Sequence, residues 1–243
     1  MHKIILTFLF LINITSLHAY KIEVVTEKYP PFQWYENEKI TGPTTDIVEA
    51  MIKKTGTLYT LDIYPWARAY KIALNNENVL IYSITRSKKR ENLFKWIGVI
   101  ASHDTYLWKL KSRKDIVINS LDDAKKYITA GVRKDAKTQY LLDKGFSSKK
   151  QVATVHSTDI AIKLLHSNKV ELIVENEDLS VQVKRLGLDI NKFEKVYYLK
   201  NFGKDLYAAF SLNTPDEVVE KHKKALQELK ATGEFKRITN KYK

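Results

Sequence analysis

The chain has 243 residues, no cysteine, 41 Lys and Arg against 28 Asp and Glu, and a formal net charge of +13. The missing cysteine excludes disulfides, thiol nucleophiles, Cys-ligated metals and iron–sulfur centres. A basic balance can indicate nucleic acid or an anionic membrane surface, but the lysines are scattered over many segments, so the charge reads as solubility with a bias toward anionic ligands.

Met1-His2-Lys3 is a short positive start. Ile4 to Ile12 is an almost unbroken apolar run, and Leu17-His18-Ala19 ends on a small residue. This is the pattern of a secretory signal peptide cleaved after Ala19. The run is too short to span a bilayer comfortably, and no Cys follows it to carry a lipid. The segment holds one Lys and no acid, so the remaining chain, about 224 residues, carries +12. That length suits one large domain or two small lobes. An exported chain without disulfides fits a bacterial periplasm.

Strand and helix signals then alternate. Lys21 to Thr26 reads as a strand. Thr44-Thr45-Asp46 caps a helix with Ile47, Val48, Met51 and Ile52 on one face, ended by Gly56. Tyr59 to Tyr64 is a strand, Pro65 opens a helix with Ala69, Ile72 and Ala73 inward, and Val79 to Ser83 is a buried strand. A second half repeats the alternation. Ser120-Leu121-Asp122-Asp123 is a capping box, Tyr127 to Val132 a strand, and Asp135 to Leu142 a helix. Val152 to Val155 is a strand, and Ser157-Thr158-Asp159 caps the next helix. Val170 to Val174 is a buried strand, followed by a helix from about Asp178 to Leu186. Lys195 to Leu199 and Leu206 to Ser211 are extended. Thr214-Pro215-Asp216-Glu217 opens a long amphipathic helix that Gly233 ends, and a short helix closes the chain.

This order predicts an α/β fold of two lobes, each a mostly parallel sheet flanked by helices. Thr105 to Lys111 and Lys195 to Leu199 are the expected crossings. Lobe one is expected to hold residues 20–106 and 200–243, and lobe two residues 107–199. Ligands of such sheets bind at the carboxyl ends of the strands, here in the cleft between lobes.

Ser83-Ile84-Thr85-Arg86-Ser87-Lys88-Lys89-Arg90, with Trp96 six residues on, is the strongest chemical signal. A strand end offering two hydroxyls and then a guanidinium suits a small carboxylate, because arginine is a planar two-pronged donor. The same residues also read as a basic surface loop. Tyr64-Pro65-Trp66-Ala67-Arg68 sits where a strand meets its helix. Trp66 reads either as a stacking surface for a ligand or as a core residue, and Arg68 as a second anion clamp or a solvated side chain.

With these elements placed, the chain resembles the extracytoplasmic solute-binding proteins of family 3, the type II periplasmic binding proteins that include polar amino acid binders. The resemblance rests on Thr26 to Phe32, Gly42 to Val48, Ser83 to Arg90 with Trp96, Gly131-Val132, Val170 to Val174, and Thr232 to Phe235. It implies that Arg90 clamps a ligand carboxylate, with Ser83 and Thr85 beside it and Tyr29 covering the ligand. It places Asn176 where the amino acid binders carry an acid for the ligand ammonium. Glu175 and Glu177 flank that position, so a one-residue slip would supply a carboxylate. Asp135-Ala136 stands where the family has Gly-Thr, so Asp135 keeps an N-cap but adds a negative charge. These departures leave room for a carboxylate without a free amine, or for a cationic compound.

For an enzyme, the chain lacks zinc spacing among His103, His156, His166 and His222 and lacks a phosphate loop. Ser147-Ser148-Lys149-Lys150 matches a short Ser-x-x-Lys pattern without its partner motifs. The expectation is a periplasmic binder, not an enzyme, that delivers a small carboxylate-bearing solute to an inner-membrane permease of the ABC type. It is expected to act as a monomer, with no cofactor, no metal and no nucleic acid. The alternatives are a ligand-sensing partner of a membrane signalling protein and a dehydratase-like enzyme on the same fold.

Overall fold

A computed structural model describes residues 21–242; the expected signal peptide lies outside them. The first part of the chain runs β1 (Lys21–Thr26), β2 (Trp34–Glu36), β3 (Lys39–Thr41), α1 (Pro43–Thr55), β4 (Leu58–Ile63), α2 (Trp66–Asn75), β5 (Val79–Thr85) and β6 (Phe94–Ser102). It continues with β7 (Thr105–Leu110), β8 (Thr129–Val132), α3 (Ala136–Asp143), β9 (Val152–Val155), α4 (Thr158–His166), β10 (Leu172–Asn176), α5 (Ser180–Arg185) and β11 (Phe193–Tyr198). The last elements are β12 (Asp205–Ser211), α6 (Asp216–Ala231) and α7 (Glu234–Asn240).

Two five-stranded sheets result. The first has the order β4-β1-β5-β12-β6 and the second β11-β7-β10-β8-β9. In each, three parallel strands are followed by one that runs against them and a fifth that runs with them: β4, β1 and β5 are parallel while β12 runs against β5 and β6. Likewise β10, β8 and β9 are parallel while β7 runs against β10 and β11. The antiparallel members carry the chain between lobes. Thr105 to Lys111 and Lys195 to Leu199 are therefore mostly paired strands of the second sheet. The chain passes between sheets in residues 103–104 and 199–204, just beside those runs.

β12 comes from the far end of the chain yet lies inside the first sheet, between β5 and β6. Its Ala208 and Phe210 join Ile22, Val24, Leu80 and Tyr82 in one core with Met51 of α1 and Leu226 and Leu229 of α6. A second core, around Leu107, Leu141, Leu172 and Val174, backs the other sheet. Burying each such Leu or Phe contributes about 1.5–3 kcal/mol.

Several caps follow the sequence chemistry. Asp135 accepts from the Lys137 amide at 2.7 Å and caps α3; Ser157 does the same for α4 through the Ile160 amide at 3.4 Å. Asp123 and Ser120 exchange the two bonds of a capping box before a short 3-10 turn. Thr44-Thr45-Asp46 does not cap α1. That helix starts earlier, after Gly42, and Thr44 and Thr45 are buried, their hydroxyls bonded to Phe32 O (2.8 Å) and the Tyr82 hydroxyl (2.9 Å). Gly42 has φ 120° and a Cβ there would stand 2.3 Å from Phe32 O, so only glycine fits. Gly131 of β8 is equally constrained: a Cβ would meet Thr138 Oγ1 of α3. That close approach sets α3 against the strand from which it starts.

Candidate functional site

The carboxyl ends of the parallel strands of both sheets face one another. From the first sheet come Glu27 and Tyr29 after β1, Trp66 after β4, and Ser83 and Thr85 on β5. From the second come Asp135 and Lys137 after β8 and Glu175 on β10. Ser83 is the extra residue of a β-bulge: Tyr207 pairs with Ile84 and Ala208 with Tyr82, leaving Ser83 unmatched with φ 58°. A bulge re-aims a side chain, and the Ser83 hydroxyl donates to Gln33 Oε1 at 2.8 Å. Gln33 is a hub that also accepts from Thr44 and donates to Thr26 and to the Glu27 carbonyl. It stiffens the loop carrying Glu27 and Tyr29.

Arg90 is buried (6 % exposed). Its Nη1 donates to Thr85 O at 3.1 Å and its Nη2 to Lys134 O, across the cleft, at 2.9 Å. The guanidinium lies over the rings of Tyr70 (4.9 Å) and Trp66 (5.4 Å). Burial pulls its pKa down and the Asp135 carboxylate holds it up; arginine keeps its charge in such surroundings. The Trp66 indole N–H donates to the same Lys134 carbonyl at 3.0 Å.

On the facing wall Lys137 is equally buried (5 % exposed). Its ammonium donates to the Tyr29 hydroxyl and to Glu175 Oε2, both at 3.0 Å, and stands 4.5 Å from the centre of the Tyr29 ring. Burial opposes its charge, but Asp135 and Glu175 outweigh burial and hold the proton well above the ordinary lysine range. Glu175 has further partners: Oε1 accepts from the Thr158 hydroxyl at 2.7 Å, and Oε2 also accepts from the Asn176 backbone amide. Burial pushes the Tyr29 phenol upward, with Lys137 pulling the other way. Burial, with the nearby Asp135, pushes the Glu27 carboxyl well above its usual range.

These groups close on a cavity of about 10 Å³, room for about one water, lined by Glu27, Tyr29, Trp66, Ser83, Thr85, Arg90, His103, Asp135, Lys137 and Leu206. Further bonds hold the walls together: Lys28 to Asp159 at 2.6 Å and Arg185 Nη2 to Tyr35 O at 2.8 Å.

Of the residues expected from sequence, Arg90, Ser83, Thr85, Tyr29, Trp66 and Asp135 meet around this cavity. Arg68 does not. It is exposed, with its guanidinium over the Tyr64 ring at 4.4 Å. Asn176 is buried behind the cavity lining, its side chain beside the Tyr29 hydroxyl rather than in the cavity itself. Its Oδ1 accepts from the Asp178 amide and its carbonyl from the Trp108 indole. Glu175, the neighbour one residue back, is the acid that reaches the cleft.

Lys137, Glu27, Gln33 and His103 escaped the sequence reading. Lys137 did leave a signal: a cation in the first turn of a helix opposes the helix dipole, and that first turn carries no acid. Glu27 directly follows a buried parallel strand, the position from which such folds build sites.

His103 packs against Tyr29 and Phe32, with ring centres 6.1 and 5.5 Å apart. Burial, then the Lys137 charge, lower its pKa from 6.5 to about 4. The folded chain therefore resists the proton that the unfolded chain accepts. Stability is full above the ordinary histidine value and falls as pH drops from about 6.5 to about 4, by roughly 3 kcal/mol from this group. Glu27 acts in the opposite sense: its retained proton favours the folded state at low pH, and that contribution fades as pH rises past the usual carboxyl range. His103→Gln is expected to flatten the stability profile between pH 7 and 4 in urea unfolding. An unchanged slope would show that His103 titrates normally.

The family profile described as bacterial extracellular solute-binding proteins, family 3, matches residues 22–243. The probable amino-acid-binding protein YxeM of Bacillus subtilis is 23% identical over 220 residues, covering 87% of this chain and 79% of that protein. Among solved structures, a histidine kinase sensor domain with similarity to periplasmic binding proteins superposes with a TM-score of 0.82 at 16% identity, covering 92% of this chain and 96% of that one. An ancestral arginine-binding protein bound to arginine gives 0.79 at 20% identity, covering 91% and 97%. At these identities the structural likenesses speak to fold.

Proposed function

We propose that this chain, which belongs to the bacterial extracellular solute-binding proteins of family 3, captures a small carboxylate-bearing solute, an amino acid or similar, between its lobes and delivers it to an ABC-type membrane permease. The observation that carries the reading is Arg90: a buried guanidinium at the cavity wall, stacked on Trp66 and Tyr70 and bonded to backbone carbonyls of both walls. A fixed, desolvated guanidinium is a receptor for a carboxylate.

The mechanism is hinge closure. Lobe one, residues 20–106 and 200–243, meets the ligand first through Arg90, Ser83 and Thr85. Lobe two, residues 107–199, swings about the two crossings and brings Asp135 and Lys137. Contacts made by both lobes favour the closed state. Residues 1–19 direct export and are removed. Coupling to uptake runs through a separate permease; among the described residues no helix is long and apolar enough to cross a membrane.

The cleft favours binding over turnover. Lys137, the cavity's ammonium, is tied to Glu175 at 3.0 Å and lies 3.9 Å from Asp135, which fixes it as part of the wall. A second reading, a sensor that reports occupancy to a membrane signalling protein, draws on the likeness to the kinase sensor domain.

A thermal-shift screen of amino acids, oxo and hydroxy acids, dicarboxylates and polyamines tests the binder, since a ligand of the folded state raises the melting point by mass action. A carboxylate is expected to raise it. Polyamines alone raising it would overturn the reading. Loss of uptake on deletion, with signalling intact, separates the permease partner from the sensor.

A further inference from the structure

Lys137 is a puzzle for a ligand cleft. Its ammonium sits inside the cavity wall, where a carboxylate (Glu175), a phenol oxygen and an aromatic face (both Tyr29) converge on it. Carboxylate, hydroxyl and ring face form a receptor for an ammonium group, and here the chain's own side chain fills that receptor. Glu175 has little left to offer, because Thr158, Lys137 and the Asn176 amide take three of its roughly four acceptor sites and it is 1 % exposed.

A second ammonium, brought by a ligand, would meet Lys137 as a like charge in a site from which water is mostly excluded, where such repulsion is strong. Asp135 is the other lobe-two carboxylate at the cavity. It already caps α3 and lies 3.9 Å from the Lys137 ammonium. Burial disfavours a charge on Glu27, which makes it a poor partner for a ligand ammonium.

The approach to the cleft says the same independently. An outer vestibule between the Thr85–Arg90 loop and α3 is lined by Lys88, Lys134 and Lys144, with Arg86 and Lys89 tied to Glu91 and Asp143. The net positive field that remains steers a ligand of net negative charge and does little for a zwitterion.

We infer that Lys137 is a specificity-determining residue that occupies the ammonium subsite from within, so that the cleft prefers amine-free carboxylates, 2-oxo or 2-hydroxy acids, over the α-amino acids with the same side chain. This rests on the reading of the cleft as a carboxylate site.

The test is titration calorimetry of the purified protein with matched sets: pyruvate, L-lactate and L-alanine; 2-oxoglutarate and L-glutamate; phenylpyruvate and L-phenylalanine; 4-methyl-2-oxopentanoate and L-leucine. For the best set, the oxo or hydroxy acid is expected to bind at least tenfold tighter than the amino acid. Lys137→Met should reduce that ratio at least tenfold by freeing Glu175 for a ligand ammonium, and Lys137→Met with Glu175→Gln should lose the gain. Tighter binding of the amino acid by the native protein overturns the inference while leaving the carboxylate cleft intact, as does a ratio unmoved in a folded Lys137→Met. Should Lys137→Met fail to fold, the native ratio alone decides. Binding of no carboxylate in any set overturns both the inference and the reading beneath it.

Discussion

Arg90→Ala will weaken carboxylate capture at least tenfold, about 1.4 kcal/mol or more, with the larger part in the dissociation rate. Two losses combine. The ligand carboxylate loses its two-pronged, charged donor, and no other arginine lines the cavity. The closed state also loses the bond from Nη2 to Lys134 O that joins the walls, so closure returns less free energy per bound ligand. Arg90→Lys should recover only part of the affinity, since an ammonium cannot bridge Thr85 O, Lys134 O and a carboxylate as the planar fork does. Calorimetry on variants shown to be folded by circular dichroism checks this. An unchanged dissociation constant for Arg90→Ala would remove the residue from the site.

The second large effect is on stability. Lys137→Met will destabilise the protein by about 3–5 kcal/mol, the cost of leaving a buried charge without its partner. Glu175 is 1 % exposed, and only the Thr158 hydroxyl and one backbone amide would remain to satisfy it. Adding Glu175→Gln should recover most of that loss, because removing both charges ends the mismatch that removing one creates. Urea unfolding of the native protein, both single variants and the double variant forms the cycle. Equal and additive losses in the two single variants would show that the pair is not coupled. The cycle is best run without ligand, since a bound ligand stabilises whichever variant holds it.

Much of the architecture was legible because it is written in local patterns. The alternation of apolar strands with capped helices located β1, β4, β5, β8, β9 and β10 and every helix longer than eight residues. Asp135 and Ser157 cap where a β-region acceptor before an apolar face predicts. Thr44 misled because a hydroxyl at the second residue of a helix looks the same in sequence as one just before it, and what distinguishes it is the Phe32 carbonyl it meets in space. The β2–β3 hairpin and β6 were not legible: the hairpin strands are only three residues each, and β6 finds its partner, β12, more than a hundred residues later.

At the site, the residues on one continuous segment, Ser83 to Arg90, could be recognised together. The facing wall could not. Whether Glu175 or Asn176 enters the cleft depends on the register of β10 against β7 and β8, and a slip of one residue reverses every side chain. Lys137 matters because Tyr29, 108 residues earlier, arrives above it, and no local pattern announces such a meeting. Arg68 failed for the opposite reason: it sits two residues past Trp66 in sequence, and two helical steps turn it to solvent over Tyr64.

The placing of β12 inside the first sheet has a bearing on how the chain is born. During synthesis β1, β4 and β5 leave the ribosome more than a hundred residues before their remaining partner. Until β12 and α6 emerge, β5 has an open edge and Leu80 and Tyr82 lack Phe210, Leu226 and Leu229. The second sheet, whose strands lie between residues 105 and 198, is complete first. The opening lobe is thus held loose until nearly the last residues appear, which keeps a nascent polypeptide threadable.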